Sequence, residues 1–167
     1  ITALPVFHNA DSLGYDRDAL GRDVISWAEM LGDDVKGRVG LTNTPQVGVM
    51  DVAMATEAAG LMTFADKGDM TRAEIDQLMN YLIGKKKEGH FRAFWETFGQ
   101  SVNLMTSGEV LIESMWSPAV TAARAEGINC VYATLQEGYR GWHSGLTISA
   151  KVTGSALDQA YEYLNWW

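Results

Sequence analysis

A single cysteine, Cys130, stands among the 167 residues, so no disulfide can close within the chain and no multi-cysteine metal site can assemble. Set in Asn129-Cys130-Val131-Tyr132, it reads as a buried strand thiol and not as a nucleophile. Cysteine scarcity by itself chooses no cellular compartment. No stretch comes near the roughly 18 unbroken apolar residues of a membrane span. Basic side chains are also few: 13 against 21 acidic ones, a net charge of −8. That surface repels phosphate backbones and argues against nucleic acid or an anionic membrane as partner. Catalytic signatures are missing too, with no Gly-x-Ser-x-Gly, His-Glu-x-x-His, P-loop or Gly-x-Gly-x-x-Gly. His8, His90 and His143 are isolated from one another, so neither a metal nor a cofactor is expected. Glu96, Glu109 and Glu113 are the remaining acid/base set, but Glu109 and Glu113 fall along one expected strand and read as facing its rim. No residue is assigned a catalytic role, and the chain is not expected to be an enzyme.

What is present is enough apolar material, 47% of residues in 18.3 kDa, for one domain with a real core. Strand-like and helix-like segments alternate throughout. Val24–Leu31 reads as a short helical stretch, and Arg38–Thr42 as a strand. Thr44 and Pro45 open a helix as N-cap and first helical residue, and Gly60 ends it. Thr71 and Glu74 fit a capping box ahead of Ile75, Leu78, Met79, Leu82 and Ile83, whose spacing places them on one helical face. Lys85, Lys86 and Lys87 suit the negative end of that helix. His90–Trp95, Glu109–Met115, Asn129–Thr134 and Trp142–Ser149 read as strands. Helices follow from about Phe98, Ser117 and Ser155. This order predicts an α/β fold with three layers, a mostly parallel central sheet with helices on both faces.

In such sheets ligands sit beyond the carboxyl ends of strands, where helix N-termini point. Thr44-Pro45 and Ser117-Pro118 each start a helix there, offering free backbone N–H groups. Trp95 and Trp116 end strands, and Tyr139-Arg140-Gly141-Trp142-His143 adds aromatic and cationic groups. Together they read as the wall of a pocket for a small organic molecule. The ends differ in character. Ile1–Phe7 is an extended apolar segment in want of a partner, and the last helix runs into Asn165-Trp166-Trp167 with no stop signal. The chain therefore reads as a piece of a longer protein.

Several segments, in order, resemble a known family. Trp27-Ala28-Glu29-Met30-Leu31 with Lys36-Gly37-Arg38-Val39, then Met105-Thr106-Ser107-Gly108-Glu109-Val110 with Met115-Trp116-Ser117, are similar to stretches of the periplasmic solute-binding proteins of ABC importers. So is Glu137-Gly138 followed by Trp142-His143-Ser144-Gly145-Leu146-Thr147-Ile148-Ser149. The opening Pro5-Val6-Phe7-His8-Asn9 with Leu13-Gly14-Tyr15 resembles the first hinge crossing of the spermidine/putrescine-binding branch.

The resemblance implies a type II periplasmic binding protein, in which two α/β lobes close on a solute. It assigns residues 1–144 to the second lobe with the first crossing, and 145–167 to a return strand and helix belonging to the first lobe. It implies a non-catalytic protein that delivers a small-molecule solute to an ABC permease from the periplasm, or alternatively a solute-sensing module. Left alone, the exposed ends are expected to self-associate. Trp116 and Trp142 match the two tryptophans that stack on a polyamine. The family's carboxylates do not carry over: one position holds Ser144, and the segment Asn43–Gly48 has no acid. Glu96 and Asp11 are the nearby substitutes, and they would carry the alternative of a polyamine ligand. Thr44, Ser117 and Arg140 complete the expected site, with Arg140 gripping a planar anion. The expected solute is small and polar: anionic, zwitterionic or neutral.

Overall fold

The computed structural model describes residues 3–166. Ile1, Thr2 and Trp167, which belong to the expected opening segment and closing helix, lie outside the described residues. The chain divides into two compact units, Asp11–Arg140 and the residues up to Ala10 together with those from Gly141 onward.

In the larger unit, β1 (Leu4–Asp16) enters from the smaller one and ends at a one-turn helix, α1 (Arg17–Leu20). The expected helical stretch near Val24 is a short 3-10 turn, Trp27–Leu31, fixed by a capping box between Ser26 and Glu29. Then follow β2 (Val39–Thr42), α2 (Pro45–Ala58), α3 (Arg72–Lys87), β3 (Phe91–Trp95), α4 (Phe98–Thr106), β4 (Ile112–Met115), α5 (Ser117–Ala125) and β5 (Cys130–Tyr132). The sheet order is β3-β2-β4-β1-β5. β2 pairs in parallel with β3 and β4, and β1 runs antiparallel to β4 and β5. Four strands thus share one direction and β1 alone opposes them, so the sheet is mostly parallel, as the alternation predicts.

Helices cover both faces. On one side Val39, Leu41, Leu13, Tyr15 and Ile112 pack with the 3-10 turn and with Val52 and Ala55 of α2. On the other, Met115 and Cys130 pack with Val102 and Met105 of α4 and Ala119, Val120 and Ala123 of α5. The capping box of α3 forms as predicted, Thr71 accepting from the Glu74 N–H. Its apolar stripe reaches the core less directly than expected. Leu78 is buried, whereas Ile83 remains 44% exposed, because α3 leans on α2.

The expected strand Glu109–Met115 begins only at Ile112. The reason is local. Arg38 donates from Nη2 to the Gly108 carbonyl (2.6 Å) and from Nε to the Glu109 carbonyl (3.2 Å), and the Val110 N–H bonds to the Leu104 carbonyl. Those backbone groups are therefore committed before the ladder starts.

The smaller unit is built differently. β6 (Arg140–Leu146) crosses into it and pairs with β1, and α6 (Ser155–Trp166) closes it without a single buried residue. An open cavity of about 550 Å³ lies among Leu4, Leu146, Ile148, Leu157, Tyr161 and Leu164.

Candidate functional site

The carboxyl ends of β2, β3 and β4 deliver Asn43, Trp95, Glu96 and Trp116 to one edge of the larger unit. β1 runs the other way, so its Ser12 arrives opposite Met115 at the same edge and brings Asp11 beside it. Trp95 is buried and donates from Nε1 to the Ser114 carbonyl at 3.1 Å. Its ring meets Trp116 edge-on, centroids 4.9 Å apart at 88°, the geometry aromatic pairs favour. Trp116 is half-buried and presents its remaining surface outward. The Asn43 N–H bonds to the Trp95 carbonyl (2.7 Å), and the Asn43 amide donates to exposed Glu96 (2.7 Å).

The helix starts at this edge are unequal. Thr97 caps α4 through a reciprocal box with Gln100, which satisfies its first turn internally. Thr44 is the N-cap of α2 by backbone geometry, yet its hydroxyl makes no capping bond. It lies instead 3.4 Å from the Thr42 hydroxyl. Ser117, expected as a cap, is the first residue inside α5. Ala119 and Val120 direct their N–H groups to the Trp116 carbonyl (2.9 and 3.1 Å), so the helix starts one residue earlier with Trp116 as N-cap and no side-chain cap bond. Pro45 and Pro118 carry no N–H, and Val47, Gly48, Ala119 and Val120 bond to the Thr44 and Trp116 carbonyls, so the first turns of α2 and α5 leave the Gln46 and Ser117 N–H groups without side-chain partners, at the positive end of each dipole.

Arg140 takes a different position from the anion grip expected of it. Only 7% exposed, it donates from Nε to Asp51 (2.7 Å) and from Nη2 to Asp11 (2.8 Å). A guanidinium is costly to bury, and paired carboxylates are the usual compensation. Burial works against the charge of Arg140, but Asp51 and Asp11 outweigh it and raise its pKa above the ordinary arginine value. Burial pushes the Asp51 carboxyl up to about 6 despite Arg140 beside it. Asp11, foreseen as a ligand carboxylate, is the other partner of that guanidinium. The residue missed is Asp51; its one signal is a lone acid in the apolar run Val47–Ala55 of a helix.

Trp142 and Ser144 lie in the smaller unit. There the Trp142 ring, 36% exposed, stands edge-on to Phe7 at 5.4 Å, and Ser144 is half-buried. The acid/base alternative meets a correction. Glu113 does not face a rim: it is fully buried, accepts from the Ser101 hydroxyl at 2.7 Å, and its second oxygen has no partner. The side chain points away from Leu41 and Val39 into the α4–α5 layer, where desolvation pushes its pKa up to about 8. Glu109 stays at the surface in an ion pair with Arg92 (2.6 Å). Cys130 is buried, as its strand setting implies, and its thiol is pushed up to about 12 chiefly by desolvation. His90 is also buried, its Nε2 2.9 Å from the Met30 carbonyl. No group of three or more metal-capable side chains occurs among the described residues.

The larger unit has a core on both sheet faces and gathers polar and aromatic side chains at the strand ends, the place where open α/β sheets hold ligands. The family described as bacterial extracellular solute-binding proteins matches residues 2–167, and the chain belongs to it. This is a family of solute-binding proteins and not of enzymes, and it is extracytoplasmic. Among solved structures the chain is similar to an ABC transporter substrate-binding protein from Bradyrhizobium japonicum, with 21% identity, 98% of this chain, 48% of that one and a TM-score of 0.73. It is similar to an ABC transporter protein from Clostridium perfringens at 17% identity over 99% of this chain and 49% of that one, TM-score 0.74. A spermidine/putrescine ABC transporter substrate-binding protein from Streptococcus pneumoniae matches at 14% identity over 98% and 47%, TM-score 0.68. These likenesses establish the fold, and the chain spans about half the length of each. A comparison with curated proteins finds no match.

Proposed function

We propose that the chain is the second lobe of a periplasmic solute-binding protein of an ABC importer, which holds a small polar solute against the edge formed by Trp116, Asn43, Thr44 and Ser117 and passes it to a permease. The observation that carries this reading is the pair of helix starts, α2 and α5, that lack side-chain caps beside a half-open tryptophan. Their N–H groups favour a ligand oxygen such as a carboxylate. Arg140 is engaged by Asp11 and Asp51, so no free guanidinium serves a strongly anionic solute, and a zwitterionic or neutral one fits better. Asp11 is engaged in turn, which leaves an amine only Glu96. The smaller unit carries Trp142 and Ser144. That unit, with its exposed apolar groove, completes its core against the remaining half of the full-length protein. An isolated chain covers the same groove with a second copy, which light scattering reads as a dimer.

Calorimetry on the full-length protein tests the ligand class. Amino acids or small carboxylates should bind more tightly than spermidine or putrescine, and Trp116→Ala should weaken that binding about tenfold, roughly 1.4 kcal/mol. Sub-micromolar spermidine binding would overturn the choice of ligand and shift the role to Glu96.

A further inference from the structure

The chain passes between the two units at only two places, Ala10–Asp11 and Arg140–Gly141. Burial changes abruptly at both. The segment from Ala3 to Ala10 is exposed or half-buried, whereas the five residues from Asp11 to Tyr15 are all buried; Arg140 is buried and the three residues after it are exposed. The two residues at these passages are joined to each other by the 2.8 Å ion pair between Arg140 and Asp11, each side chain 7% exposed. The same guanidinium reaches Asp51 at the centre of α2. On either side of the pair, the Ser12 hydroxyl bonds to the Ala133 carbonyl at 2.8 Å and Tyr132 stacks on Tyr139.

This arrangement is hard to explain as a source of stability. Two carboxylates share one guanidinium, the second Asp51 oxygen has no partner, and buried ion pairs of this kind gain little over apolar packing of the same volume. What they do supply is orientation, because Nε and Nη2 of a planar guanidinium diverge at a fixed angle. We propose that Asp11, Arg140 and Asp51 form a clasp that binds both crossing strands to α2, so that the strands leave this unit from one fixed point and any hinge motion is confined to the segments beyond it. The inference rests on the reading of the chain as part of a two-lobed solute-binding protein. It adds a role that the solute does not touch: the helix whose N-terminus lies at the candidate site and the two strands that lead to the smaller unit move as one body.

The test needs no solute. Spin labels at Gln77→Cys in α3 and at Gly141→Cys, the first residue beyond Arg140, both exposed positions, report in the full-length protein how firmly the departing strand is held to the helices of the larger unit, and buried Cys130 stays unlabelled. With the clasp intact the distance distribution should be narrow. Asp51→Asn, which can still accept from Arg140, should keep it narrow. In Arg140→Lys one ammonium cannot span both carboxylates, and the narrow peak should be lost while circular dichroism shows the larger unit still folded. If that variant fails to fold, the uncharged combination Asp11→Asn, Asp51→Asn, Arg140→Met is read instead, with the same expected loss. An unchanged narrow distribution in a folded clasp variant overturns the proposal even where calorimetry finds the solute. Failure of the calorimetry, with the peak lost as described, overturns the choice of solute and leaves the clasp standing.

Discussion

The two units spend similar kinds of residue to opposite ends. In Asp11–Arg140, apolar side chains from both sheet faces are fully buried, from Leu13 through Trp27, Leu41, Leu78 and Trp95 to Leu135. In the smaller unit, Phe7, Tyr161, Tyr163 and Trp166 are each more than half exposed, Trp166 at 80%, although β6 and α6 are regular elements. Local pattern is sufficient to shape a strand and a helix, but burial needs a second layer, and only the larger unit contains one.

Amide exchange in the 167-residue chain gives the widest separation between the two. At concentrations too low for a second copy to cover α6, protection in β2 and β4 should approach the global stability, several kcal/mol above that of α6, which should open almost freely. Equal protection in both would erase the contrast. Next in size, Trp95→Ala removes the largest side chain at the strand-end edge and should cost about 3–5 kcal/mol in denaturant unfolding. A loss below about 1 kcal/mol would place the core elsewhere.

Glu113 offers a finer test, confined to the larger unit. Its carboxyl holds a proton more tightly folded than unfolded, from an ordinary value of 4.5 up to about 8, because burial disfavours the anion. Its contribution is thus complete below the unfolded value and is lost as pH rises through about 8. Between pH 7 and 9 the loss should be on the order of 1 kcal/mol, and Glu113→Gln should flatten that part of the profile. An identical alkaline slope in the variant would remove the assignment. Smallest of all, Trp166→Ala should change unfolding of the isolated chain by less than about 0.5 kcal/mol.

Much of the larger unit is legible in the sequence. Thr71 with Glu74, Pro45 after Thr44 and the spacing of Leu78 and Leu82 specify their helices locally, and the structure agrees at each. What is not legible depends on groups far apart in the chain. Arg38 takes the carbonyls that would have extended β4. Trp116 accepts the bonds that make Ser117 an interior residue. Arg140 reads as an open cation until Asp11 and Asp51 are brought to it from more than 80 positions away. Two of the segments that carry the family resemblance, at Trp27 and at Glu137-Gly138, also prove to be joined. Glu137 accepts from the Ser26 hydroxyl (2.5 Å) and the Trp27 N–H (3.2 Å), and the Trp27 ring N–H bonds to the Gly138 carbonyl (2.9 Å). Those two segments form one structural joint, so motifs there inform about fold more than about solute.

Gly48 sits where α2 begins, and a methyl group added to it would lie 2.5 Å from the Thr42 carbonyl oxygen, closer than any real contact. The height of the helix above the strand is therefore set by main chain against main chain. The close approach itself involves no side chain at positions 43, 44 or 46. Mutation at those three places can redraw the chemistry of the edge without shifting the helix beneath it, which makes this corner a place where new binding preferences can arise by drift, one residue at a time, with the scaffold held constant.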